Sequence, residues 1–247
     1  MKVRVKFQKY GPLRFLGHLD VMRYFQKVIR RAEIPVAFTS GYSPHMIMSF
    51  ASPLGIGLTS EGEYFDMELT EPVASEEAVR RMNDVGTEGI TVTGFRQISD
   101  EKKATGMAIV AAADYEVSVR IGSFPEQLPD LLDAFIHQTE ILIVKQTKRS
   151  EKLTDIRPMI YHMEVCPADS DFIFYESSGD RIRMRLAAGS VENLKPDLVM
   201  SAFCRFAGIC ETDIAFHYHR TELYANAPTP DGGQQLVTLE SLGTEIS

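Results

Sequence analysis

An α+β fold with antiparallel sheets is predicted by three observations: strand-like alternation of apolar and charged residues, separate stretches of helical period, and the order in which the two recur. Val3, Val5 and Phe7 alternate with Lys2, Arg4 and Lys6, the period of a strand with one buried face and one exposed basic face. From His18 to Glu33 the apolar set Leu19, Met22, Phe25, Ile29 and Ala32 follows helical spacing, with Arg23, Lys27, Arg30 and Arg31 falling elsewhere around the helix. Gly17 to Asp20 marks its start, where His18 or Asp20 is the candidate cap and Asp20 is expected to cap rather than to catalyse, and Pro35 ends it. An extended PVAFTS, a Gly41 to His45 loop and the strand and glycine turn of MIMSFASPLGIG follow. A second alternating strand runs from Glu63 to Leu69, a short helix starts at the expected N-cap Ser75 with Glu76 and Glu77 in its first turn, and ITVTGFRQI closes the unit.

The same order is traced again after a polar and alanine-rich stretch. YEVSVRI, ILIVKQ, DRIRMRL and DIAFHYH read as strands, and PEQLPDLLDAFIHQ and KPDLVMSAFCRFAG as helices, the latter with Pro196 near its first position and Gly208 as terminator. KLTDIRPMIYHMEVCPADSDFIFYE is read as an inserted hairpin. Two β-α-β-β-α-β units make two tandem ferredoxin-like domains. The expected division is 1–100, a connector at 101–113, a second domain at 114–225 and a disordered tail from 226 to 247, where APTPDGGQQ shows no period.

Charge is segregated. Residues 1–50 hold nine Lys/Arg against only Asp20 and Glu33, a balance of +7, within a chain of net charge -8. A basic first segment on an acidic chain fits either a local polyanion footprint or the solvated face of an ordinary helix, not a wholly basic coat. The start alternates charge with apolar residues and no apolar run of membrane-spanning length occurs, so a cytoplasmic location without membrane contact is expected. Cys166, Cys204 and Cys210 form no CxxC or CxxxCxxC and are read as core thiols, with no cofactor or metal assigned to this chain. His217 and His219 share one strand face, and His162 is the nearest third ligand to suggest, a pattern short of a zinc site. The GxxxxGK[ST], HExxH, GxSxG and dinucleotide fingerprints are missing, which removes the corresponding nucleotide, peptidase and hydrolase readings.

Candidate RNA contacts follow from residue type. Arg181, Arg183 and Arg185 fall on one strand face about 6.6–6.8 Å apart, a backbone-binding stripe unless neighbouring carboxylates answer it. Lys145, Lys148, Arg149 and Lys152 form a second basic cluster with Arg157, which Asp155 would either orient by a charge-assisted hydrogen bond or hold in a structural clamp that closes the insertion. Gly41-Tyr42-Ser43-Pro44-His45 joins a stacking ring to an imidazole, while Gly55 and Gly57 read as a turn or as a close approach to phosphate. His18 and His45 are the candidate pair if the chain cleaves RNA through the 2′-hydroxyl.

RFLGHLDVMRYFQKVIRRAEIPVAFTSGYSPHMIMSFASPLGIGLTSEGEYFDMEL, KLTDIRP and GSVENLKP resemble the radical-SAM-linked family of uncharacterised bacterial proteins, over the chain to about Tyr224. In that family the domain stands alone or lies behind a radical SAM enzyme with a cobalamin-binding-like region, encoded near ribosomal and RNA-processing genes. The resemblance implies an accessory subunit that binds RNA, transfer or ribosomal, or presents it to a partner using an iron–sulfur cluster and S-adenosylmethionine. Arg14, Arg23, Lys27, Arg30, Arg31, Tyr42, His45, Arg157, Arg181, Arg183 and Arg185 are the residues expected to line its cleft. A fold-level likeness to the CRISPR RAMP endoribonucleases keeps a metal-independent nuclease open, and the acidic second half keeps open a protein-docking module that touches no RNA.

Overall fold

The structure, a computed structural model, describes residues 1–146, 151–166 and 179–247, apart from the side chains at 102 and 146. It is a mixed α+β chain in two compact units, Met1–Ala111 with Glu222–Ser247, and Ala112–Thr221. No helix among the described residues is long and apolar enough to cross a membrane.

In the first unit, β1 (Lys2–Lys9) pairs antiparallel with both β3 (Thr59–Glu68) and β4 (Ile90–Ile98), and β2 (Met48–Phe50) pairs with β3. Two helices, α1 (His18–Arg31) and α2 (Ser75–Asp84), join these strands. Val3, Val5 and Phe7 of β1 meet Phe65, Val92 and Phe95 from the sheet and Val21, Phe25, Val28, Ile29, Ala78 and Met82 from the helices in one apolar core. Phe25 is its centre, with ring centroids 4.7 Å from Phe7 and 4.6 Å from Phe65.

Helix α1 differs from its expected register. Leu19, read as a core residue, is 58% exposed, and Val21, Phe25, Val28, Ile29 and Ala32 form the buried stripe. At about 100° per residue, Leu19 lies well away from Phe25 on the barrel and close to Arg23. The helix starts on Gly17 without a side-chain cap, so Asp20 sits in the first turn rather than capping. Glu33 takes φ 51, and the amide of Ile34 reaches back to the Ile29 carbonyl at 3.1 Å, a left-handed termination ahead of Pro35.

The opposite face of β1 is not the exposed basic surface predicted from its alternation. Arg4 is 2% exposed and makes a bidentate pair with Asp66, at 2.8 and 3.0 Å, while donating to the carbonyls of Leu239 and Ala104. Asp66 also accepts from the amide of Gly106, at the start of the single-turn helix α3 (Gly106–Ile109). Lys6 Nζ reaches Glu222 at 2.8 Å and Glu240 at 3.2 Å, and the Tyr64 hydroxyl donates to Glu222 at 2.6 Å. Burial alone would lower the Lys6 pKa, and hydrogen bonds and attraction from Glu222 and Glu240 reverse this and raise it. For Tyr64, burial first and Glu222 second push the phenol far above its ordinary range.

These contacts correct the expected tail. Residues 226–247 form the end of a strand, β11 (Gln234–Thr238) paired on it at Tyr224–Pro228, and a closing turn. Leu239 is fully buried, Thr244 bridges Gln97, and the Ser75 hydroxyl accepts from the amide of Ile246 at 2.9 Å. Ser75 thus fastens the C-terminal segment, and Ala74 is the N-cap of α2. Pro228, Pro230 and two glycines shape a hairpin rather than a disordered run.

In the second unit, β5 (Val110–Ile121) and β8 (Ile160–Cys166) flank β9 (Arg181–Ala187) with antiparallel pairing, and β10 (Ala215–Pro228) follows beyond β5. Helices α4 (Leu128–Ile136) and α5 (Pro196–Phe206) meet through the edge-on rings of Phe135 and Phe203 at 5.5 Å. Pro196 takes the first turn of α5, and Gly208, at φ 68, follows its end as expected.

The insertion lies elsewhere than expected. ILIVKQ gives β6 (Leu142–Gln146), which among the described residues pairs with β7 (Glu151–Asp155) in a separate two-stranded hairpin. The strand beside β9 is instead β8, from within the stretch read as inserted, and the rest of that reading at 167–176 lies outside the described residues. Ile141 and Ile143 are buried while Leu142, Val144 and Leu153 are exposed, so the hairpin has one buried and one exposed apolar face.

Candidate nucleic-acid interface

Four of the nine cations in residues 1–50, Lys2, Arg4, Lys6 and Lys9, lie on β1 and are held by intramolecular contacts. Lys2 and Lys9 donate to the carbonyls of Asp100 and Leu16, at 2.6 and 2.8 Å. The other five, Arg14, Arg23, Lys27, Arg30 and Arg31, lie on α1 and the turn before it. Arg23, Lys27 and Arg31 follow i,i+4 spacing and Arg30 falls between them, so the four share an arc of about 100° opposite the buried stripe. Arg23 to Arg31 spans about 12 Å of helix.

Little answers this ridge electrostatically. Arg23 meets Asp20 at 3.5 Å with both side chains more than half exposed, a contact worth well under about 1 kcal/mol that a phosphate can replace. Among the described residues no carboxylate pairs with Lys27, Arg30 or Arg31. Arg14 stacks its guanidinium over the Phe15 ring, 4.9 Å from the centroid. The Gly57 amide donates to the Arg14 carbonyl at 2.8 Å, tying the glycine turn to this end of α1, and Gly57 adopts φ 88.

The candidate histidines have separate surroundings. His18 packs edge-on against Phe50 at 5.1 Å, beside the buried charges of Lys9 and Glu63. His45 Nδ1 lies 3.1 Å from the Ser43 carbonyl and 3.4 Å from the Thr39 hydroxyl of its own loop. Tyr42 stands at that loop's tip with its ring wholly exposed, and the Ala37 amide anchors the loop to the Glu68 carbonyl of β3.

On the second unit the arginine row of β9 is answered by acids. Arg185 forms a bidentate pair with Asp114 at 2.7 and 2.8 Å, Arg183 contacts Glu116 at 3.0 Å and Glu164 at 3.3 Å, and Arg181 reaches Glu116 at 3.2 Å. Asp114 and Glu116 stand opposite Arg185 and Arg183 in the β5–β9 register, and Glu164 opposite Arg183 on β8. Arg181 is 4% exposed, so it is part of the sheet's buried framework. Three guanidiniums against three carboxylates leave no net field for a phosphate backbone.

Arg157 is placed differently from its expected pairing. The Asp155 carboxylate accepts from the backbone amides of Ile141 and Arg157, at 2.8 and 2.9 Å, and the Arg157 guanidinium donates to the Ile160 carbonyl at 3.0 Å. Asp155 and Arg157 therefore close the base of the β6–β7 hairpin. Lys145 and Lys152 are cross-strand partners there, and Lys148 and Arg149 lie outside the described residues. His219 is fully buried, and the described residues contain no group of three or more His, Cys, Asp or Glu placed for a metal.

The cysteines split two and one. Cys166 and Cys204 are buried, whereas Cys210 is exposed, a correction to its reading as a core thiol. Burial, with a smaller contribution from Glu211, pushes the Cys204 thiol up to about 11, and burial also raises Cys166. At pH 8 buried Cys204 and Cys166 are held as thiols, so a maleimide is expected to label exposed Cys210 within minutes and the other two only on unfolding. Peptide mass spectrometry of the labelled protein checks this, and rapid double labelling would contradict it.

Sequence reasoning missed Phe15, Leu19 and Ile56, which are 60%, 58% and 67% exposed at the start of α1 and in the glycine turn. The signal available was the position of Leu19 four residues before Arg23, in line with the cations rather than with Phe25.

None of the curated proteins matches the chain. A solved structure titled "Crystal Structure of a Cbf5-Nop10-Gar1 Complex" is similar at TM-score 0.47 and 12% identity over 90% of this chain and 48% of that one, so the chain spans about half its length. Residues 2–196 match the family described as "Uncharacterized protein conserved in bacteria (DUF2344)", and the chain belongs to that family.

Proposed function

We propose that this protein is a non-catalytic RNA-binding subunit that presents its RNA to a radical SAM enzyme. The observation that carries the RNA reading is the ridge of Arg23, Lys27, Arg30 and Arg31 on the outward face of α1, continued by Arg14 and met among the described residues only by the exposed carboxylate of Asp20. Tyr42 adds an exposed ring on its loop. The enzyme partner is implied by the family resemblance of the GHLD, GYSPH and KLTDIRP segments, and the apolar face of Leu142, Val144 and Leu153 offers an area for protein contact. The unit strand orders, β4-β1-β3 with β2 on β3 and β10-β5-β9-β8, support reading both halves as ferredoxin-like. The arginine row of β9 has no part in this reading.

Binding of labelled transfer and ribosomal RNA across a salt series tests it. Five cations on phosphates give a slope of log K against log salt of about -3.5 for unpaired RNA. A wild-type protein that binds neither RNA at low salt would leave the protein-docking alternative in its place.

A further inference from the structure

We propose that Phe15, backed by the Arg14 guanidinium, is a stacking platform for an unpaired base, so that the ridge takes single-stranded rather than duplex RNA. This rests on the RNA reading above and narrows its ligand. Three large apolar side chains, Phe15, Leu19 and Ile56, are more than half exposed at the N-terminal end of α1. Ile56 is held there by the Gly57 amide on the Arg14 carbonyl, and its Cδ1 lies 3.7 Å from where a Cβ on Gly17 would stand. Leu19 heads the i,i+4 row that continues through Arg23, Lys27 and Arg31. An apolar platform therefore leads directly into a row of cations.

A duplex offers that row its phosphates but hides its base faces, leaving Phe15, Leu19 and Ile56 against water or the sugar edge. An unpaired strand satisfies both parts at once, with phosphates along the ridge and a base on the ring. Arg14, with its guanidinium carbon 4.9 Å from the Phe15 centroid, adds a cation beside the ring and keeps a charge within reach of the next phosphate. A polyanion is the better-fitting occupant, because the patch opens onto four exposed cations met among the described residues only by the exposed Asp20, a local positive field that phosphates neutralise.

Affinity is measured for a single-stranded oligonucleotide carrying 2-aminopurine and for the corresponding duplex, using wild-type protein and the variants Phe15→Ala, Phe15→Leu and Phe15→Tyr. Unchanged thermal midpoints show that each variant folds. The single strand is expected to bind more tightly than the duplex, Phe15→Ala to weaken it about 5- to 100-fold with the duplex unaffected, and Phe15→Tyr to stay within about twofold. Quenching of 2-aminopurine is expected with wild type and Phe15→Tyr and lost with Phe15→Leu, which keeps apolar bulk but no ring. Equal affinity for both RNAs, or Phe15→Ala binding as wild type while salt dependence persists, overturns the platform and leaves the RNA reading standing. No binding of either RNA by wild type overturns both.

Discussion

Asp66→Ala is expected to destabilise the first unit by about 3–5 kcal/mol, because it strands the Arg4 guanidinium in an interior site from which water is excluded. The carboxylate also accepts the Gly106 amide, so its removal orphans a backbone donor together with a charge. Arg4 holds three segments at once, through Asp66 on β3, the Ala104 carbonyl ahead of α3 and the Leu239 carbonyl of the C-terminal segment. Replacing both partners by apolar residues is therefore not expected to restore full stability, since those backbone groups stay unpaired. Chemical denaturation reads the effect, and a destabilisation below about 1 kcal/mol would show that the pair is not buried as described.

Removing residues 229–247 is expected to be at least as damaging. It takes away fully buried Leu239, worth about 1.5–3 kcal/mol. It also removes Glu240 from Lys6 and Arg96, and Ile246 from Ser75. Against a typical total of about 5–15 kcal/mol, such a change leaves the first unit largely unfolded. A truncated protein that stays soluble with an unchanged thermal midpoint would return this segment to the status of a dispensable tail.

Periodicity carried the local elements well. Val3, Val5 and Phe7 are each almost fully buried, as alternation required, and the helices around Phe25 and Pro196 lie where spacing and proline placed them. What a local window cannot see is which distant carboxylate covers a cation. Arg4 finds Asp66 across 62 residues and Lys6 finds Glu222 across 216, so a basic strand face became an interior one. The β9 arginines were answered by acids on β5, 67 and 71 residues away, the alternative that residue type alone could not decide. For the same reason the C-terminal segment reads as tail. Its own pattern is weak, and its order comes from Ser75, Gln97, Lys6 and Arg4, far upstream. The basic ridge of α1 was legible because it lies within one helix. Its apolar head was not, because Leu19 matches core spacing as readily as ridge spacing until neighbours fix the register.

RNA binding is proposed to run through α1 and not through the β9 arginines. Salt titration of RNA binding by Arg23→Glu/Lys27→Glu/Arg31→Glu beside wild type tests it most directly, because these side chains are exposed and their reversal should leave the thermal midpoint within a few degrees. Binding is expected to weaken for all RNA sequences alike, with a salt slope smaller by about 2, about 0.7 for each phosphate no longer neutralised. A folded triple variant that binds as tightly as wild type, with the same slope, would contradict it.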